Sequence, residues 1–267
     1  MTLPLAVQLY TFRDPARFGG AGMGLDVPTL SKLAAAGFVG VETVDVPGGD
    51  PAAARQVLDD LDLRIASSHT WADVGDPDAV ARAADALAAF GSGRMIVSSP
   101  PLTDLEAFDA LADRLAAAAE VAADRGIRLG YHNHDAELRP LDETTGLDRL
   151  AARLGDAIDL QVDIFWVAVG GADPAAVITR LGPRVVSLHI KDGVDLPAGA
   201  YRDEPFVNVP AGEGVVDPGP AIAAAEALPS VEWLIAEFDH VAGDPLSAAR
   251  GTHDNLVGRG LARERGA

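Results

Sequence analysis

The chain is expected to form one α/β domain, a single (β/α)8 barrel (TIM barrel) spanning residues 1–267. Three observations predict this. A length of 267 residues is close to that of one such barrel. Strand-like and helix-like segments alternate from end to end with short connections, which implies a parallel sheet. The third observation is chemical: of the 6 histidines, all but His253 sit where a short apolar run ends. They are His69 after RIASS, His132 and His134 in RLGYHNHD, His189 in RVVSLHIKD and His240 in WLIAEFDH. Glu42, Asp163, Glu237 and Asp239 occupy other such ends. A barrel gathers its strand ends onto one face, where its active site lies.

The elements follow in order. Strand one is Leu5–Tyr10, and a Gly-rich loop leads to a helix near Val27–Ala36 that Gly37 ends. Strand two, Val39–Thr43, precedes helix Pro51–Leu61, for which Asp50 is the N-cap and Pro51 the first-turn residue. Strand three, Arg64–Ser68, is followed by helix Pro77–Phe90 behind Asp76. Strand four, Arg94–Ser98, precedes a long helix from about Asp104 to Arg125. Strand five is Ile127–Asn133, with a helix near Thr145–Leu154. Strand six is Ile158–Asp163, with helix Pro174–Leu181 behind Asp173. Strand seven is Val185–Ile190, and the irregular stretch Asp192–Gly219 separates it from a helix near Pro220–Ala227. Loops of that length inside a compact domain are often functional lids. Strand eight is Trp233–Phe238, and the last helix runs from about Pro245 to Val257.

Composition narrows the function. A hydrophobic content of 48% supports a large core. No apolar run approaches the roughly 18–20 residues that span a membrane. MTLPLAVQLYTFRD has no basic leader, so a cytoplasmic protein is expected. Zero cysteines exclude disulfides and thiolate metal sites. A net charge of −19 argues against nucleic acid, which calls for a basic stripe. No G-x-G-x-x-G opens a helix after the first strand, and GGAGMG lacks the lysine of a phosphate loop. Lys32 and Lys191 are the only lysines among many arginines, which singles out Lys191.

Strand parity sharpens the cluster. Ser187, His189 and Lys191 share one face of strand seven, and the apolar residues between them must meet the helices, so the polar set faces the barrel axis. Glu237 pairs with Asp239, His132 with His134, and Gln161 with Asp163. An Asp, a His and a Glu from strands six, seven and eight thus converge near the mouth. One imidazole with two carboxylates suits Mn2+, Mg2+, Co2+ or Zn2+, with room for a fourth ligand from strand five. Taken singly, each of these residues also reads as a polar strand end facing water.

The runs LGYHNHDAEL, DIFWVAVGGADP, SLHIKD, PAGEGVVDPG and WLIAEFD, flanked by VQLYTFRD and DPLSAARGTHDNL, span the chain. Together they resemble the sugar phosphate isomerase/epimerase family of the xylose isomerase-like TIM barrel superfamily. The resemblance implies one divalent ion, Mn2+ ahead of Mg2+, Co2+ or Zn2+, held by a Glu, an Asp, a His and a Glu after strands five to eight. Asp163, His189 and Glu237 match the last three. Family members typically read like lgiEnH at the first position; this chain reads LGYHNH, so His132 stands in place of the glutamate. This YHNH pattern looks like a subgroup and is similar to the inositol dehydratase branch.

The implied activity is isomerisation or epimerisation of a sugar or keto-sugar, by proton abstraction next to a carbonyl and an enediolate stabilised by the ion. The alternatives are a dehydratase acting on a keto-inositol or 3-keto-glycoside and a non-catalytic sugar-binding barrel. The catalytic candidates are Glu237, His132 and Lys191, and the metal ligands are Asp163, His189, Glu237 and His132. Substrate contacts are expected from Glu42, His69, His134, Trp166 and Arg202, with core packing the alternative for Trp166. Phe12 and Phe18 are candidates to close the pocket or touch a second subunit. The absence of an arginine cluster favours a non-phosphorylated sugar or polyol. Family members are commonly dimers or tetramers, which implies a homo-oligomer, although no interface stripe stands out.

Overall fold

A computed structural model describes residues 2–13, 26–196 and 206–266. Eight parallel strands close into a barrel: β1 (Leu5–Gln8), β2 (Gly40–Val44), β3 (Arg64–His69), β4 (Arg94–Val97), β5 (Arg128–His132), β6 (Asp159–Asp163), β7 (Val185–Ile190) and β8 (Trp233–Ala236). Each strand pairs with its neighbour in the chain, and β8 pairs back onto β1, Leu234 beside Leu5 and Ala236 beside Val7. The expected (β/α)8 barrel is the observed fold.

The outer layer is α1 (Val27–Ala35), α2 (Pro51–Asp60), α3 (Pro77–Phe90), α4 (Leu105–Ala123), α5 (Gly146–Leu154), α6 (Ile164–Val169), α7 (Pro174–Leu181), α8 (Pro218–Glu226) and α9 (Pro245–Gly258). An aspartate caps most of these helices. Asp50, Asp76, Asp173, Asp217 and Asp244 each accept a backbone N–H of the first turn and precede a proline. Such a cap contributes about 1 kcal/mol, and proline has no N–H to leave unsatisfied there. The helices bury their apolar faces on the outward residues of the strands, Val7, Leu129, Val162, Leu188 and Leu234 among them.

The barrel interior is layered. Ala6, Ala66, Trp233 and Ile235 form a separate apolar plug at the N-terminal end. Gly130, two residues before His132 on β5, leaves room for the buried Ile96 side chain, since a Cβ there would lie 2.5 Å from Ile96 Cδ1. Above the plug the inward residues turn polar.

Two local departures from expectation have physical causes. Strand one ends at Gln8, because its side chain accepts the N–H of Tyr10 and starts a 3-10 turn over Leu9–Phe12. Helix α6 directly follows Asp163, whose Oδ1 accepts the N–H groups of Phe165 and Trp166; a run as apolar as IFWVAV gives no periodic signal for it. Residues 206–216 of the long loop are tied to Asp192, whose carboxylate accepts N–H groups from Gly212, Gly214 and Val216 as well as from Gly193. The Gly-rich stretch with Phe18, and Arg202, lie outside the described residues.

Candidate metal centre

The polar interior is a connected network. Glu42, on β2, is fully buried. Its Oε1 accepts from Ser67 Oγ at 2.5 Å and Gln161 Nε2 at 2.7 Å. Its Oε2 accepts from Gln8 Nε2 at 2.7 Å and meets His189 Nε2 at 2.6 Å. Burial alone would raise this carboxyl, but the charges of His69 and His189 and these hydrogen bonds outweigh it and hold the pKa at about 2.

Gln161 links that network to the mouth. Because a carboxylate only accepts, the amide nitrogen must face Glu42, and Oε1 must face the histidines. That oxygen lies 2.8 Å from His69 Nε2 and 3.0 Å from His132 Nδ1. Both imidazoles therefore donate to it. Burial, then repulsion from His189, His134 and His69, pushes the His132 pKa well below 6.5, so its ring is neutral. With the proton on Nδ1, Nε2 of His132 carries a lone pair, and it lies 4.0 Å from Asp163 Oδ2.

His132, Asp163, His189 and Glu237 each present one ligand atom, and the four atoms lie within 4.8 Å of one another. Bonds of about 2.0–2.2 Å place the ligand atoms of one ion about 3–4 Å apart, so the set is compact enough for a divalent ion. Two nitrogens and two carboxylate oxygens suit a borderline cation. Asp163 divides its oxygens: Oδ1 caps α6, while the buried Oδ2 faces the group, where its one close polar neighbour among the described residues is the Lys191 ammonium, 3.0 Å away. Burial pushes this carboxyl up, against the pull of Lys191 and His189. An oxygen so placed fits a cation ligand.

Cations already line one side. Lys191 Nζ lies 2.8 Å from Glu237 Oε2, 3.0 Å from Asp163 Oδ2 and 2.6 Å from Asp239 Oδ2. Burial disfavours the ammonium, but the charges of Asp163, Asp239 and Glu237 outweigh it and hold the pKa well above 10.5. His189 Nδ1 meets Glu237 Oε2 at 2.8 Å. Burial opposes a charged His189 as well, yet Glu237 and Glu42 raise it to about 10. Glu237 is held well below 4.5 because Lys191 and then His189 outweigh the cost of burial. Four carboxylates (Glu42, Asp163, Glu237, Asp239) face two cations (Lys191 and His189), a local excess of negative charge that favours a further cation.

The structure brings most of the sequence candidates together and redirects some. His69 and His134 border the cluster, their rings 5.2 Å and 5.0 Å from that of His132. Glu42 was expected at the substrate; it has no exposed surface and lies beneath His189, with both oxygens engaged. Trp166, offered as a sugar wall, is fully buried among Phe165, Phe206 and His134 and backs Lys191, whose Nζ lies 5.4 Å from its ring centre. Lys191 pairs with Asp163, Glu237 and Asp239, while the adjacent Asp192 serves the loop. Half-buried Phe12 packs against the main core. The sequence reading passed over Gln161 as a functional residue, although its parity with Asp163 was the available signal. It also missed Trp71, 64% exposed just past β3 and 6.4 Å from the ring of Tyr10.

Comparison with known proteins agrees with this fold. A family model described as xylose isomerase-like TIM barrel matches residues 30–256. The rhizopine catabolism protein MocC of Rhizobium meliloti is 30% identical over 298 residues, covering 96% of this chain and 88% of that protein. An inosose dehydratase of Geobacillus thermodenitrificans is 26% identical over 251 residues, covering 82% and 83%. The crystal structure of a sugar phosphate isomerase/epimerase from Parabacteroides distasonis superposes with a TM-score of 0.78 at 18% identity, over 98% and 96% of the two chains.

Proposed function

This chain belongs to the xylose isomerase-like TIM barrel family, and from that premise we propose that it is a divalent-metal-dependent enzyme that abstracts a proton next to the carbonyl of a keto-sugar or keto-polyol. The observation that carries this reading is the convergence of His132, Asp163, His189 and Glu237 on one point beside Lys191. Those four residues would hold the ion, Mn2+ ahead of Mg2+, Co2+ or Zn2+. When bound, a divalent ion polarises a carbonyl and acidifies the adjacent C–H.

The chain's own residues supply the rest. Glu237, ionised throughout the working range, is the carboxylate available to accept the proton. Lys191 stays charged and would stabilise an oxygen that gains negative charge as the proton leaves, where a fixed cation in a dry site is worth most. His69, half-buried at the rim and tied to Gln161, is placed to meet a substrate hydroxyl. The charge of −19 and the absence of an arginine cluster favour a non-phosphorylated substrate.

Reprotonation gives an epimer or isomer, which is the first reading. One observation favours loss of a β-hydroxyl as a second. An epimerase with two carboxylates needs one on each face of the substrate, and β5 offers the neutral, hydrogen-bonded His132 instead of a glutamate. The inosose dehydratase similarity supports this second reading.

The test is to incubate the Mn2+-loaded protein with a panel of keto-sugars and inosose in D2O and follow them by NMR. Deuterium at the carbon next to the carbonyl is expected, and release of water separates the dehydratase from the isomerase. No exchange with any of them, with metal bound, contradicts the proposal and leaves a sugar-binding barrel.

A further inference from the structure

We infer that Glu42 is a positioning residue that fixes the proton of His189 on Nε2 and so presents Nδ1 to the divalent ion. This role rests on the metal-dependent reading of the site, but the geometry behind it is independent of any ion. His189 is fully buried, and each ring nitrogen has one carboxylate neighbour: Nε2 meets Glu42 Oε2 at 2.6 Å and Nδ1 meets Glu237 Oε2 at 2.8 Å. Glu237 belongs to the group whose ligand atoms converge, so Nδ1 is the nitrogen on the ligand side. Glu42 lies on the other side of the ring, on β2, across the barrel from β7.

The surroundings of Glu42 leave no other assignment for the proton. Four donors converge on its two oxygens: Ser67 Oγ and Gln161 Nε2 on Oε1, Gln8 Nε2 and His189 Nε2 on Oε2. The Gln8 amide is itself oriented, because its Oε1 accepts the N–H of Tyr10. Only an acceptor on both oxygens satisfies this arrangement, so Glu42 must be a carboxylate and Nε2 of His189 must donate. A carboxylate behind an imidazole ligand fixes its tautomer and orientation and raises its basicity. The same network sets the other imidazole, since the amide nitrogen of Gln161 bonds Glu42 and its oxygen takes the Nδ1 proton of His132.

Glu42→Gln inverts the arrangement. Whichever way the new amide turns, its NH2 faces two donors, and turned toward His189 it forces Nε2 to accept and moves the proton to Nδ1. Mn2+ affinity, followed by electron paramagnetic resonance, is expected to fall about 10–100-fold. A second measurement needs no variant. In the Zn2+-loaded wild-type protein, 15N NMR of labelled histidine is expected to show His189 with its proton on Nε2 and the metal-bound shift on Nδ1.

Coordination through Nε2, or an unchanged Mn2+ affinity in Glu42→Gln, overturns the positioning role and leaves the metal-dependent reading intact. Failure of the wild-type protein to bind Mn2+ or Zn2+ overturns both. Should the variant not fold, the wild-type spectrum decides alone.

Discussion

Lys191 Nζ lies 2.8 Å from Glu237 Oε2, the same oxygen that meets His189 Nδ1 at 2.8 Å. The ammonium thus holds two carboxylates of the candidate ligand set, Glu237 and Asp163, in a site almost closed to water. It neutralises them without an ion and competes for them with one.

Replacing Lys191 with methionine separates these effects. Mn2+ is expected to bind more tightly, because a competing cation is gone. On any substrate that exchanges, kcat is expected to fall about 10²–10³-fold, the usual cost of one fixed charge at a developing oxyanion. The metal-free variant should lose about 3–5 kcal/mol of stability, as for a broken buried ion pair, and regain much of it with Mn2+. Metal titration, kinetics and denaturant unfolding check the three outcomes.

Metal binding should release protons. Glu237 and Glu42 hold the His189 proton to about pH 10 in the metal-free site, and a ligand nitrogen must lose it. The sign follows: raising the pH removes the competitor, so apparent Mn2+ affinity should rise about tenfold per pH unit near neutrality. Calorimetry in buffers of different ionisation heat should report about one proton released per ion at pH 8. Zero release contradicts ligation by His189.

Asp163 serves two masters through two oxygens. Asp163→Asn keeps an acceptor for the N–H groups of Phe165 and Trp166 but gives up the contact of Oδ2 with Lys191, so the α6 cap survives, the metal-free protein loses some stability and metal affinity drops. Asp163→Ala loses the cap as well and should cost about a further 1 kcal/mol. Equal metal affinity in Asp163→Asn and wild type would count against Oδ2 as a ligand.

Much of this arrangement was legible in the chain. Parity placed Ser187, His189 and Lys191 on the inward face of β7, and the aspartates before the helices marked their starts, because both signals are local. Glu42 and Gln161 were harder to read. Which oxygen meets which donor depends on side chains from β1, β2, β3, β6 and β7 that meet only when the barrel closes. Trp166 was ambiguous for the same reason: apolar residues after a strand read alike whether they wall a pocket or fill the core.

Glu137 gives stability a pH dependence of its own. It lies just beyond β5, where Tyr131 Oη donates to it at 2.6 Å and the N–H of His134 at 3.2 Å. Burial raises its pKa from 4.5 to about 7, against those hydrogen bonds. A raised acid binds its proton more tightly in the fold than in the unfolded chain. Its contribution is therefore full below pH 4.5 and is lost as pH rises to about 7. The loss amounts to about 3 kcal/mol at 1.36 kcal/mol per pKa unit. Glu137→Gln cannot ionise, so its stability curve should be flatter than wild type between those pH values, measured by urea unfolding.

The central claim is that one divalent ion is held by two imidazoles, His132 and His189, together with Asp163 and Glu237. Pulsed electron paramagnetic resonance on the Mn2+-loaded protein, with and without 15N-labelled histidine, counts coordinated imidazole nitrogens directly. Two are predicted in the wild type and one in His132→Ala. A single coordinated imidazole in the wild type, unchanged in His132→Ala, would contradict the claim and remove His132 from the metal.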